Sequence, residues 1–323
     1  MPKPQLLVSH NEIPQAVIDS LTEKFDVQII DKPMKATTKQ DLLENIAGKF
    51  GLFFSYTTVV DEDVINTAGP SLKVISTTSM GYESVDLDAV KKRGIVLGNT
   101  VLETAQIVAE CTIGLLIATT RNFLNVNKQM KSGILPTATS FGMGLTNSVV
   151  GIIGCGNIGI AVAQMLWPAF KLSELLYTSR KPKSEMECLG GQFVSVDDLV
   201  RRSDFIIVTA VLVPETKFII NKDRLALMKP NAVVINVGRG LLIDQNALID
   251  ALQEHRIRGA GLDVMTPEPL PLDSPLMTME SVVLLPHIAG RNTFEASMRK
   301  AQLAADNILA VLNNQPVPCE VKL

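Results

Sequence analysis

Short apolar runs alternate with amphipathic stretches along the first hundred residues. QLLVS, FDVQII, GLFFSY, LKVIST and GIVLGN read as strands, whereas IPQAVIDSLTEKF and VDLDAVKKRG carry apolar positions three and four apart and read as helices. That alternation predicts a parallel sheet covered by helices. One long helical stretch is expected over 102–130, followed by a loop rich in Gly, Thr and Ser, SGILPTATSFGMGLTNS (132–148). A second series then begins. VVGIIG, ELLYTS, DFIIVTAV, AVVINVG, GAGLDV and SVVLLP read as strands, with NIGIAVAQMLWPAF, SVDDLVRRS, NKDRLALM and DQNALIDALQEH as helices between them, several opened by a Ser, Asn or Asp cap. From 291 onward one more helix follows. The pattern predicts two α/β domains, the second starting near residue 100, with the last helix returning to the first.

Composition changes this picture little. The 323 residues suffice for two cores, and a mean hydropathy of +0.24 suits buried sheets. No run of eighteen apolar residues occurs, and CTIGLLIATT (111–120) is too short to span a bilayer, so no membrane is expected. The start MPKPQLLVSH lacks the basic-then-apolar layout of a signal peptide. Cys111, Cys155, Cys188 and Cys319 lack paired spacing, which predicts reduced thiols, no metal site and a cytoplasmic protein. A net charge of −3 offers no global attraction for nucleic acid.

VVGIIGCGNIG ends a strand and opens a helix, placing Gly154, Gly156 and Gly159 in a G-x-G-x-x-G with Asn157 and Ile158 between them. In that context the glycines predict a dinucleotide site: the first for a tight turn, the second for approach to a pyrophosphate, the third for close helix packing. An acid about 20 residues on would accept hydrogen bonds from the adenosine ribose. The slot falls instead on YTSRKPK (177–183), where Ser179, Arg180 and Lys181 can donate to a 2′-phosphate. NADPH is therefore the expected cofactor in preference to NADH.

Three further residues follow predicted strand ends. Arg239 stands in INVGRG, Glu268 in GLDVMTPEP and His287 in VVLLPHIAG. An arginine can grip a planar carboxylate, a protonated imidazole can give its proton to a carbonyl oxygen as hydride arrives, and a carboxylate can orient that imidazole. The set suits hydride chemistry on a small 2-keto or 2-hydroxy acid. A plainer alternative for Glu268 is that it caps a turn in its proline-rich loop.

GIIGCGNIG, INVGRG, GAGLDVMTPEP and LLPHIAG, in this order and spacing, resemble the D-isomer-specific 2-hydroxyacid dehydrogenase family over nearly the whole chain. LKVISTTSMGYESVDLDAVKKRGI, LLYTSR, PEPLP and PVPCEVKL are similar to its glyoxylate/hydroxypyruvate reductase branch. The resemblance implies two Rossmann-like/flavodoxin-like domains with parallel sheets and a cleft between them. Residues 1–99 plus 289–323 would bind substrate, 100–288 would bind coenzyme, and the latter would build a homodimer. It implies the catalytic roles for Arg239, Glu268 and His287. It also implies that Met80 and Gly81 present backbone N–H groups to the substrate carboxylate and that Asp263 holds the nicotinamide amide. Unlike that branch, the segment 132–143 has no tryptophan; the only one is Trp167. Two alternatives stand beside the reductase: a dehydrogenase for another 2-keto acid, similar to phosphoglycerate dehydrogenases, and a dinucleotide-sensing corepressor-like interaction protein.

Overall fold

The structure is a computed structural model that describes residues 2–55, 57–290 and 293–323, leaving aside the side chains of 102, 103 and 139. Arg291 and Asn292, the expected first residues of the last helix, lie outside the described residues. The chain forms two compact units, Met1–Thr104 with Arg291–Leu323, and Ala105–Gly290.

The first unit holds strands β1 (Gln5–Val8), β2 (Asp26–Ile29), β3 (Gly51–Phe54), β4 (Val74–Thr77) and β5 (Val96–Gly98). They form a parallel sheet in the order β2-β1-β3-β4-β5, the arrangement of flavodoxin-like sheets. Helices α1 (Gln15–Thr22), α2 (Lys39–Asn45), α3 (Glu62–Ala68) and α4 (Leu87–Lys92) connect them. Side-chain alternation divides the strands between two cores. Leu7, Leu52, Phe54 and Ile75 pack to one face, and Leu6, Val8, Phe53 and Val74 to the other. Burying a side chain such as Phe53 stabilises the fold by about 2 kcal/mol. The second face is closed by α1 and by the final helix, whose Ala301, Ala304, Ala305 and Ile308 meet the sheet.

The expected single helix over 102–130 is in fact two, α5 (Val101–Thr120) and α6 (Phe123–Lys131), meeting at a 58° bend. Asn122 causes the break. Its backbone is left-handed at φ 56, a conformation that Asn tolerates better than most residues. The Thr120 carbonyl consequently accepts from Met143 N–H at 2.7 Å instead of continuing the helix. Among the described residues no single helix is long and apolar enough to cross a membrane.

The second unit carries β6 (Val149–Ile153), α7 (Asn157–Ala169), β7 (Glu174–Thr178), α8 (Ser184–Glu187), β8 (Gln192–Phe193), α9 (Val196–Arg202), β9 (Phe205–Val208), α10 (Lys222–Leu227), β10 (Val233–Asn236), α11 (Gln245–Gln253), β11 (Gly259–Leu262) and β12 (Val282–Leu284). Its sheet is parallel throughout, in the order β12-β11-β10-β9-β6-β7-β8. Ser195, Asn221 and Asp244 cap α9, α10 and α11 by accepting a backbone N–H from the first turn. The strand order reverses between β6 and β9, the kind of point at which open α/β sheets receive ligands. Helix α12 (Phe294–Leu312) ends the chain's regular structure.

Candidate active site

The glycine loop joins β6 to α7 beside that reversal. Gly154 is left-handed at φ +98, and a Cβ there would lie 2.4 Å from the Ala210 backbone. A Cβ on Gly159 would lie 2.2 Å from the Gly154 carbonyl, so the missing side chain is what lets α7 approach the loop. A Cβ on Gly156 would meet nothing within 4 Å. Gly156 is also the N-cap of α7 and supplies no side-chain hydrogen bond, leaving Asn157 and Ile158 in a first turn open to an anion. The loop is tied to its neighbours by Gly154 N–H, which donates to the Thr178 carbonyl at 2.9 Å, and by the Thr209 hydroxyl, which donates to the Gly154 carbonyl. These features fit a dinucleotide diphosphate.

The end of β7 carries no acid. Arg180 and Lys181 are exposed and Ser179 is half-buried. The Ser179 hydroxyl donates to the Lys181 carbonyl at 2.5 Å, so it must rotate before it can donate to a phosphate. The loop's shape comes from a residue that the pattern did not single out. Tyr177 is fully buried against Phe193, and its hydroxyl accepts from Lys183 N–H at 3.0 Å. Burial pushes the thiol of Cys155, inside the glycine loop, up to about 12, against the charge of Lys183, which pulls it down.

Arg239, Glu268 and His287 follow β10, β11 and β12, which are neighbours in the sheet, so their loops emerge side by side from one edge. His287 Nδ1 lies 2.7 Å from Glu268 Oε2. The second oxygen of Glu268 accepts from Met265 N–H at 3.0 Å, so this carboxylate both orients the imidazole and closes its own turn. Burial raises the Glu268 pKa, but the His287 hydrogen bond and charge, the Met265 N–H and the Arg239 charge outweigh it, and the net shift is downward. The carboxyl is thereby kept ionised beside the imidazole that it orients.

Each loop is held from behind. Asn236 donates to the Arg239 carbonyl at 3.0 Å and accepts from Gly238 N–H at 3.1 Å. Gly240 approaches Met265 so closely that a Cβ would lie 2.0 Å from its carbonyl, which brings the arginine loop against the glutamate loop. The Gln245 amide pairs with both the carbonyl and the N–H of Thr266, at 2.7 and 3.0 Å. His287 itself is left-handed at φ 57. The loop that enforces this is gathered by buried Asp263, whose carbonyl accepts from His287 N–H and whose carboxylate accepts from Ile288 and Ala289 N–H at 2.8 and 3.0 Å. In this structure the Asp263 carboxylate therefore serves the histidine loop. Met80 and Gly81 belong to the other unit, in the half-exposed loop after β4. Among the described residues no cluster of His, Cys, Asp or Glu could hold a metal ion.

Comparisons with known proteins show the family. Residues 113–289 match the model for the D-isomer specific 2-hydroxyacid dehydrogenase NAD binding domain. The chain belongs to the D-isomer-specific 2-hydroxyacid dehydrogenase family and is an oxidoreductase. It is 41% identical over 297 residues to the human glyoxylate reductase/hydroxypyruvate reductase, covering 91% of this chain and 89% of that one. A crystal structure of a protein from Thermus thermophilus superposes with a TM-score of 0.91 at 32% identity, covering 98% of this chain and all of that one (100%). The NADPH-dependent glyoxylate/hydroxypyruvate reductase of Sinorhizobium meliloti, in complex with NADP and malonate, gives 0.82 at 29% identity, covering 99% and 97%.

Proposed function

We propose that the protein reduces glyoxylate and hydroxypyruvate to glycolate and D-glycerate, with NADPH preferred over NADH. In this reading residues 100–288 bind the coenzyme, and 1–99 with 289–323 bind the substrate. The observation that carries it is the 2.7 Å His287–Glu268 pair, with Arg239 acting electrostatically on the same carboxylate, on the sheet that bears the glycine loop. The names of the human and Sinorhizobium relatives support the substrate class, and the NADP complex of the latter supports the cofactor.

Bound at the glycine loop, the reduced dinucleotide supplies the hydride. Gly154, Gly156, Asn157, Ile158 and Gly159 hold its diphosphate, Ser179, Arg180 and Lys181 its 2′-phosphate, and Asp263 its carboxamide. The Asp263 role requires the carboxylate to accept a further bond beside the two it already takes from Ile288 and Ala289. Arg239 and the N–H groups of Met80 and Gly81 take the substrate carboxylate and so turn the keto carbon toward the coenzyme. With Nδ1 of His287 committed to Glu268, the proton given to the carbonyl oxygen comes from Nε2. Glu268 remains ionised and steadies the imidazole in both states.

A homodimer in the cytoplasm belongs to the same reading. The second unit exposes Phe123, Leu124, Met130, Ile134, Leu135 and Phe141, a set of apolar side chains suited to a second copy. The four cysteines are free, which suits a reducing compartment. Oxidation of NADPH and NADH with glyoxylate, hydroxypyruvate, pyruvate and 3-phosphohydroxypyruvate tests the function. Turnover is expected with the first two acids and faster with NADPH; no turnover with any of the four would overturn it.

A further inference from the structure

The loop after β4 has its carbonyls tethered on one side. The Ser79 carbonyl accepts from Thr100 N–H at 3.1 Å, and the Met80 carbonyl accepts from the Asn99 side-chain amide at 3.0 Å. A peptide unit is planar and, here, trans, so its N–H points opposite to its C=O. Drawing both oxygens toward the Asn99–Thr100 segment turns the N–H groups of Met80 and Gly81 to the opposite side. Neither of these N–H groups has an acceptor among the described residues. Two successive N–H groups so directed form a small anion-binding concavity.

Asn99 is buried and is itself locked in place. Its N–H donates to the Cys319 carbonyl at 3.0 Å, and its carbonyl accepts from the Asn307 amide at 3.0 Å. Asn307, fully buried on α12, also donates to the Ser76 hydroxyl and accepts from Cys319 N–H. Residue 98 must be glycine for this to fit, since a Cβ there would lie 2.6 Å from the Asn307 amide nitrogen. The carbonyl of Met80 can only accept, so an amide nitrogen must face it. An oxygen or a methyl group there would release the peptide.

We infer that Asn99, braced by Asn307, is a positioning residue that aims the Met80 and Gly81 N–H groups at the substrate carboxylate. The inference rests on the reading that these amides take that carboxylate. Its test uses Asn99→Leu and Asn99→Asp, which keep the side chain's approximate size and remove the donor at neutral pH. KM for glyoxylate and Kd for oxalate, a non-reacting dicarboxylate, should both rise about tenfold. The value of kcat should stay within about threefold, and NADPH affinity should be unaltered. In Asn99→Asp the oxalate defect should shrink on acidification relative to Asn99→Leu, because a protonated carboxyl can again donate. Folded variants with unchanged KM and oxalate Kd would overturn the inference, and so would equal losses of kcat and NADPH affinity. Absence of keto-acid turnover in the unmodified protein would instead remove the functional reading, while weakened oxalate binding in the variants would still bear out the oriented amides.

Discussion

Glu268 and His287 stand nineteen residues apart in sequence, yet Oε2 of the one lies 2.7 Å from Nδ1 of the other. Adjacent parallel strands bring their loops together. Replacing His287 by Ala should lower kcat by about 10²- to 10⁴-fold, as loss of a general acid does, with NADPH binding kept. Glu268→Gln keeps the shape and removes the charge, and a fall in kcat of about 10- to 100-fold is expected. Steady-state kinetics with fluorescence titration of NADPH checks both.

The same carboxylate gives an acid-side prediction. Its pKa lies below the ordinary 4.5, the net result of burial being outweighed by the His287 bond and nearby charges. A depressed carboxyl stabilises the fold fully above the ordinary value, and that contribution is lost as pH falls through the lower, folded value. Glu268→Gln should therefore lose less stability than the unmodified protein on acidification, as urea unfolding at about pH 7 and about pH 4 would read out.

Gly156 and Gly159 make opposite predictions. Gly159→Ala forces a methyl onto the Gly154 carbonyl and should cost about 1–3 kcal/mol of stability, seen as a lowered Tm. Gly156→Ala has open space and should leave Tm nearly unchanged while weakening NADPH binding.

At the end of β7, Arg180→Ala should weaken NADPH about tenfold or more and leave NADH nearly unaffected. Ser179→Asp should move preference toward NADH, because the carboxylate repels a 2′-phosphate and accepts from ribose hydroxyls. Equal effects on both coenzymes would contradict the role given to this loop.

Thiol chemistry should single out Cys188, the exposed cysteine, for alkylation. Burial pushes Cys111 up to about 11, with the Asp263 charge adding to the effect, and Cys155 up to about 12. Thiols raised in the folded state stabilise it below their unfolded value of 9.0, and that contribution disappears as pH climbs toward the folded values. Thermal melts above about pH 9 should thus show falling stability, with a shallower slope in Cys155→Ala.

Much of the architecture was readable in the chain because both sheets are parallel and covered. Runs such as DFIIVTAV and AVVINVG could scarcely be anything but buried strands. The three glycines and the Arg, Glu and His were legible because each follows such a run. Other features left no local mark. The break at Asn122 depends on a backbone conformation within a helix-like pattern, and β8 has only two residues. Asn236 ties the arginine turn through bonds two and three residues away, Gln245 reaches Thr266 across 21 residues, and Tyr177 packs on Phe193 and accepts from Lys183 N–H; no periodicity encodes these contacts. Asp263 was singled out by resemblance as a coenzyme contact, whereas its bonds to Ile288 and Ala289 depend on two strands meeting.

That Arg239, Glu268 and His287 leave three consecutive strands also sets a length scale. Neighbouring strands lie about 4.8 Å apart, so the first and last of these loops start roughly 10 Å from each other. Side chains can reach across such a gap, as those of Glu268 and His287 do in closing to 2.7 Å. The sheet's own repeat distance is thus on the scale of the two- and three-carbon acids proposed above as substrates.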